Sequence, residues 1–186
     1  CDLMLENESG IDFLRSVHGL DLTRWKNAGY WDFDHYHPFS FFNESSQVVA
    51  STNLFTLDLV IDGKTCRGAQ FSGVGTRPEL RRRGLNRILT QRAIEWARSR
   101  HELLFLFASD EALPFYESSG FRPLDEQEPF VRVEGRFTEP GIQRLDLSRQ
   151  SDRRLVETFA FRRCPVSAVL AAHNPKLFLF HVLYGA

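Results

Sequence analysis

Scarcity narrows this sequence before any motif does. Three cysteines in 186 residues, Cys1, Cys66 and Cys164, are too few and too scattered for a disulfide framework or a zinc cage. Cys66 and Cys164 read as small buried hydrophobes, and a reducing cytoplasm is the expected compartment. No apolar run nears the roughly 20 residues of a membrane span. The longest, Leu103 to Ala108, is strand-sized. The N-terminus lacks the charged, apolar and small-residue layout of a signal peptide. Lysine is nearly absent, 3 residues against 20 arginines, which favours fork-like recognition of carboxylate or phosphate. Genome composition accounts for that bias as easily. A net charge of -1 leaves no field of one sign to draw nucleic acid or an anionic membrane.

What is there is globular. Hydrophobic residues make up 42% and charged residues 25%, and this length suits one domain with a short appendage. A chain of this size buries about 70% of its unfolded surface, so it needs no staples. It opens on Cys1 and stops at Ala186 straight after an apolar stretch, as expected of a piece of a longer protein.

Periodicity divides the chain. A short helix is expected over Leu22–Ala28, closed by Gly29. Phe39–Phe42, a polar turn at Asn43–Ser46, and Val48–Ile61 read as extended. Asp62-Gly63 is a hairpin signal, and the returning strand runs from Thr65 to Val74. Leu85, Ile88, Leu89, Ala93, Trp96 and Ala97 then form a helical stripe. Leu103–Phe107 reads as a buried strand. A second helix is expected from Asp110 to Gly120, with Pro114 in its first turn. Phe130–Val133 reads as a strand, Thr138–Gly141 as a linker, Ile142–Leu147 as a strand, and Asp152–Arg163 as a helix capped by Ser151. His173-Asn174-Pro175 is a turn before apolar Leu177–Tyr184. We expect a first domain over residues 1–134 and an incomplete C-terminal extension over 142–186. Exposed apolar surface near Leu177–Tyr184 suggests a dimer face or the edge left by a missing strand.

The informative stretch runs from Phe71 to Asn86. A strand ends at Val74, a loop with Gly75 and the triplet Arg81-Arg82-Arg83 follows, and Gly84 opens a long helix. The first helical turn offers unpaired N–H groups, and Gly84 lets an anion approach the backbone. The arginines add charge-assisted donors. No Gly-Lys-Ser/Thr follows, so this is not a Walker loop; the preceding strand belongs to a meander, so it is not a Rossmann turn. A phosphate site and a solvated basic helix cap both fit these residues.

Arg81-Arg82-Arg83-Gly84-Leu85-Asn86 resembles the pyrophosphate loop, Q/R-x-x-G-x-G/A, of the GNAT family of N-acetyltransferases, with Asn86 departing from the final Gly/Ala. Val74-Gly75-Thr76-Arg77-Pro78 is similar to that family's strand-to-loop run. Ala112 to Phe121 resembles its A-x-x-x-Y-E-x-x-G-F block, preceded by Ser109 where relatives often carry Asn. The likeness covers about residues 20–133. It implies an α/β (α+β) fold: a mixed, mostly antiparallel central sheet with helices on both faces. The implied activity is N-acetylation of a small-molecule or peptide amine by acetyl-CoA, with direct attack on the thioester.

The resemblance places the roles as follows. Backbone groups of Val74 and Thr76 pair with the pantetheine arm. Arg81, Arg82, Arg83, Gly84, Leu85 and Asn86 hold the pyrophosphate, and Ser109 reaches the pantetheine. A backbone N–H near Val74 or Gly75 steadies the oxyanion. Tyr116 is the general acid for the departing thiolate, its phenol protonated at neutral pH; a core aromatic beside Phe115 and Phe121 is the competing reading. Where several relatives carry Glu on the fourth strand, Ala69-Gln70-Phe71-Ser72 supplies no carboxylate. Asp32, Asp34, His35 and His37 border the acceptor side and are candidates for binding a cationic amine or relaying its proton.

Alternatives stand beside these expectations. His35-x-His37 lacks a third ligand at useful spacing, so no metal is expected. Asp32 and Asp34 suit turn capping, and the aromatics from Trp31 to Phe42 suit core or pocket wall better than a nucleic-acid platform. Absence of the strand carboxylate keeps open a non-catalytic acyl-CoA-binding or regulatory module. A hydrolase using Cys1 as an N-terminal nucleophile needs a mature terminus there, and no supporting arrangement accompanies it.

Overall fold

The computed structural model describes residues 3–31, 34–125, 143–164, 167 and 169–184. Its backbone is a long hairpin. Strand β2 (Val48–Ile61) turns at Asp62 and Gly63, both at positive φ (48° and 73°), and returns as β3 (Lys64–Thr76). Two left-handed residues in succession match the twist of the flanking strands. Pairing runs from Ile61↔Lys64 to Ala50↔Thr76. Strand β1 (Tyr36–Phe42) lies antiparallel along the other side of β2, joined through a turn in which Asn43 Oδ1 accepts from the Ser45 and Gln47 amides. Strand β4 (Leu103–Phe105) is parallel to β3, and β5 (Leu170–Ala172) is antiparallel to the far end of β2. The sheet is mixed and mostly antiparallel, with helices on both faces, as expected.

Helix α3 (Leu85–Arg98) covers one face. Its Leu89, Ala93, Ile94 and Ala97 are buried over Leu54, Ala69 and Phe71. Burying a side chain such as Leu54 or Leu89 contributes about 2 kcal/mol. Arg87, Gln91, Glu95 and Arg98 face water. Ile88 departs from the expected stripe, 46% exposed near the helix start. The opposite face is closed by α1 (Leu3–His18), α2 (Thr23–Asn27) and α6 (Pro175–Tyr184). Ile11, Phe13 and Leu14 of α1 cluster with Val48, while Trp25 of α2 meets Phe55 and Phe180. Trp25 Nε1 also donates to the Lys176 carbonyl at 3.0 Å. A short helix, α4 (Leu113–Glu117), follows a 3-10 turn at Asp110–Ala112, and α5 (Gln150–Arg162) precedes β5.

Several expectations are corrected. Helix α1 was not anticipated at all. Leu103–Phe107 is not a buried strand: β4 stops at Phe105, Leu103 is exposed, and Phe107 is 67% exposed. Residues 143–147 form no strand, because Asp146 turns the chain by accepting from the Ser148 amide and hydroxyl. Ser151 does not cap α5; it lies inside the helix and donates to Asp152 Oδ1. Leu177 and Phe180 pack into the cluster around Trp25, and Leu179 is 2% exposed, so these three residues belong to the core rather than to an exposed apolar face. Cys66 is half-buried and Cys164 exposed, so neither is the buried hydrophobe expected. Cys1, the strand over Phe130–Val133 and the linker Thr138–Gly141 lie outside the described residues. Among the described residues no helix is long and apolar enough to cross a membrane.

Candidate active site

The site begins where β3 loses a neighbour. Its parallel pairing with β4 covers Gly68↔Leu103, Ala69↔Leu104 and Gln70↔Phe105, then ends. From Phe71 to Thr76, β3 pairs with β2 alone among the described residues. Backbone groups on its other edge are therefore available to an extended ligand. The same segment is bulged: Ser51 pairs with Gly75 and Asn53 with Ser72, so Gly73 and Val74 together oppose Thr52. Asn53 Nδ2 holds this bulge by donating to the Gly73 carbonyl at 3.2 Å.

Two glycines make the bulge possible. Gly73 sits at φ +57°, and an added Cβ would stand 2.7 Å from Leu14 Cδ2. At Gly75 a Cβ would stand 2.6 Å from His18 Nε2 and 2.9 Å from Val17 Cγ1. The C-terminal turn of α1 is thereby pressed onto the bulge. His18 ends that helix, and Gly19 at φ +69° closes it with its amide on Arg15 and the Leu20 amide on Leu14. The His18 ring lies beside the Gly73 backbone. Burial lowers its pKa from 6.5; the Gly73 backbone raises it, and the Arg81 charge adds to the lowering.

Beyond Thr76 the loop is anchored by arginines with different duties. Arg77 Nε donates to the Val48 carbonyl at 2.8 Å, and its Nη2 bonds Asp12 at 3.0 Å. Arg81 Nε donates to the Thr76 carbonyl at 3.2 Å, which pins one of the triplet beside the end of β3. Arg82 and Arg83 are exposed. Arg82 at φ +62° and Gly84 at φ +74° curl the backbone into the start of α3. Nothing lies within 4 Å of a Cβ built on Gly84. The first α3 amides, Leu85 to Arg87, open toward this space, since the first intrahelical bond is Ile88 N–H to the Gly84 carbonyl. Asn86 Oδ1 is buried and meets no donor among the described residues. An open strand edge, a clear glycine, free amides and exposed arginines fit a nucleotide-linked thioester such as acetyl-CoA.

Tyr116 stands on α4, half-buried, and burial raises its pKa above 10. Its ring meets Phe115 at 5.0 Å and Phe121 at 6.0 Å, and Phe121 lies edge-on to Phe71 at 5.3 Å. Phe71 is the first residue of the unpaired part of β3, so this aromatic chain ties Tyr116 to the open edge. Ser109 is exposed just before the 3-10 turn, where its carbonyl accepts from Ala112.

The segment at 34–37 is split. His37 pairs in register with Leu54, which pairs with Phe71, so it lies two strands, roughly 10 Å, from the open edge. Its Nε2 is 3.1 Å from Thr56 Oγ1, which is 2.9 Å from His101 Nε2, and its ring stacks on Trp96 at 4.3 Å. Burial, with His101 and other cations nearby, pushes the His37 pKa down to about 4. His35 instead lines a cavity of about 160 Å³ with Trp25, Tyr36, Phe55 and Asp58. Asp34 is exposed, and Asp32 lies outside the described residues. No group of three or more metal-ligating side chains occurs among the described residues. Sequence reasoning missed His18; the signal available was the stripe Ile11, Leu14, Val17 closed by Gly19.

Comparison with known proteins agrees with this geometry. Residues 33–124 match the acetyltransferase (GNAT) domain family. No curated protein matches the chain in sequence. Among solved structures, an acetyltransferase of Trypanosoma brucei is similar over 67% of this chain and 92% of its own, at 22% identity and a TM-score of 0.52. Glucosamine-6-phosphate N-acetyltransferase of Arabidopsis thaliana is similar over 70% of this chain and 94% of its own, at 16% identity and 0.53. A predicted acetyltransferase of Clostridium acetobutylicum, crystallised with acetyl-CoA, is similar over 69% of this chain and 86% of its own, at 21% identity and 0.50. At such identities the likeness establishes the fold. Residues 33–124 are a GNAT acetyltransferase domain, of a family whose acyl donor is acetyl-CoA.

Proposed function

We propose that this protein is an N-acetyltransferase that passes the acetyl group of acetyl-CoA to an amine. The observation that carries this reading is the outer edge of β3 from Phe71 to Thr76, which among the described residues has no strand partner beyond Gln70 and runs into the arginine loop. In this reading backbone groups of Val74 and Thr76 take the pantetheine arm as an added strand. Arg82, Arg83 and the amides of Gly84 to Asn86 take the pyrophosphate, with Arg81 held nearby by Thr76. Ser109 faces the same arm. Acetyl-CoA supplies an activated acetyl carbonyl; the chain supplies orientation and proton transfer.

Tyr116 has the properties of the acid that protonates the departing thiolate. Its raised pKa keeps the phenol protonated throughout the neutral range, and its ring is linked to β3 through Phe121 and Phe71. An amide N–H at the bulge, Val74 or Gly75, is the donor assigned to the developing oxyanion. Asp32, Asp34, His35 and His37 keep their acceptor-side reading on the strength of their segment, and His35 borders a cavity. Residues 142–186 are proposed as an extension of the acetyltransferase domain, with β5 on the far end of β2.

The test is a screen of primary amines, polyamines and peptide N-termini for thiol release from acetyl-CoA, with mass detection of the acetylated product. Amide formation on an amine supports the reading. Tight acetyl-CoA binding without transfer to any amine would replace it with a non-catalytic acyl-CoA module.

A further inference from the structure

Ala69-Gln70-Phe71-Ser72 of β3 supplies the proposed reaction with no carboxylate base. We propose that His18, at the end of α1, is the general base that takes the proton from the attacking amine. This rests on the acetyl-transfer reading given above.

Placement is the first argument. Gly73 and Gly75 have their missing Cβ positions turned toward α1, where Leu14, Val17 and His18 lie. Val74, between them, packs on the α3 side. His18 thus occupies the face of the bulge opposite the α3 helix that carries the anion loop. A donor seated along β3 with its phosphates on α3 leaves the α1 face for the amine. A Cβ built on Gly75 would stand 2.6 Å from His18 Nε2, and the Gly75 amide is one of the two assigned to the oxyanion.

Chemistry is the second argument. Burial and the Arg81 charge lower the pKa of the ring, and the Gly73 backbone acts in the opposite sense. A neutral imidazole carries a bare lone pair on one of its two nitrogens. Phe13, edge-on at 6.2 Å, holds the ring in place, while part of it stays open to solvent. The charged group acting on it is Arg81, from the loop after β3; Arg77 and Asp12, beside Phe13, neutralise each other. Burial and Arg81 together keep the ring neutral at pH 7, the state a base requires.

The step balances. The amine lone pair forms the new N–C bond to the acetyl carbonyl, and the C–S bond breaks with its electron pair on sulfur. The ammonium-like nitrogen gives one proton to His18, which passes it to solvent. Tyr116 protonates the thiolate and recovers a proton from solvent.

The experiment compares wild type with His18→Gln and His18→Ala in three readouts. These are calorimetric affinity for acetyl-CoA, the pH profile of thiol release with the best amine of the screen, and the same profile with water as nucleophile. His18→Gln is expected to lower kcat by about 100-fold and to leave acetyl-CoA affinity within about twofold. The acid limb, in which the wild-type rate climbs as pH rises through a pKa below 6.5, disappears, and added imidazole restores turnover to His18→Ala. Wild-type rates and an unchanged acid limb in His18→Gln, or loss of acetyl-CoA affinity in parallel with turnover, would overturn the assignment. If wild type neither binds acetyl-CoA nor releases thiol with any amine or with water, the transfer reading itself fails, independently of His18.

Discussion

Strand β3 has two halves that share one backbone and differ in neighbours. From Lys64 to Gln70 it lies inside the sheet, antiparallel to β2, with β4 joining beside Gly68 to Gln70. From Phe71 to Thr76 it keeps β2, loses β4, bulges at Gly73–Val74 and gains α1 on one face. The first half is satisfied by the protein. The second has unspent backbone hydrogen-bonding capacity beside a basic loop and a helix start. Function is expected where a regular element stops being satisfied by its own chain.

The most damaging way to break this contrast is at the loop. Gly84→Asp is expected to weaken acetyl-CoA binding about 100-fold, about 2.7 kcal/mol. An L side chain at φ +74° is strained, and the carboxylate would repel the pyrophosphate. Unchanged affinity by calorimetry would remove the loop from the site.

Turnover and stability separate next at the two glycines of β3. Gly73→Ala meets Leu14 and Asn53 at φ +57° and is expected to cost about 2–3 kcal/mol of stability and most of the turnover. Gly68→Ala, in the paired half, meets Leu59 Cδ1, the end of a side chain. It is expected to cost about 1–2 kcal/mol while the folded fraction keeps its kcat. Melting curves beside initial rates decide this, and equal kcat in both variants would contradict the division.

Tyr116→Phe is a narrower cut, expected to lower kcat about 10- to 100-fold with acetyl-CoA affinity kept. Because burial raises the Tyr116 pKa, no alkaline fall from this phenol is expected below pH 10. Equal rates in the two proteins would return Tyr116 to the Phe115–Phe121 cluster.

The smallest effect belongs to His37. Its folded pKa of about 4 lies below the ordinary 6.5, so unfolded chains bind more protons between those values. Its contribution is fully present above pH 6.5 and is lost as pH falls toward 4. His37→Asn is expected to flatten that acid decline in melting temperature by a few degrees, and an identical slope would show that Thr56 and Trp96 do not hold His37 neutral.

How much of this the sequence reveals depends on how local the cause is. Asp62-Gly63 dictates its turn through two left-handed residues, and α3 announces itself by Leu89, Ala93 and Ala97 one face apart. The same locality makes Arg81 to Asn86 and Tyr116 recognisable. Where the deciding partner is distant, sequence reasoning fails. Ile142–Leu147 alternates like a strand, yet Asp146 finds a turn with Ser148 and Asp152. Helix α1 hides behind Gly10 and the acidic residues Glu6 and Glu8, and its stability comes from Val48 and the bulge on β3. His18 is therefore invisible as a site residue until Gly75 is seen against it. His35 and His37, two residues apart in sequence, are separated by packing on Trp96 and around the Trp25 cavity.

The most direct test of the contrast within β3 is amide hydrogen exchange, measured with and without saturating acetyl-CoA. We expect new protection over residues 71–76 and at 84–87, with little change over 64–70, whose amides already have partners on the sheet. Protection spread evenly along β3, or confined to segments away from both its open edge and the start of α3, would contradict the placement of the acyl donor.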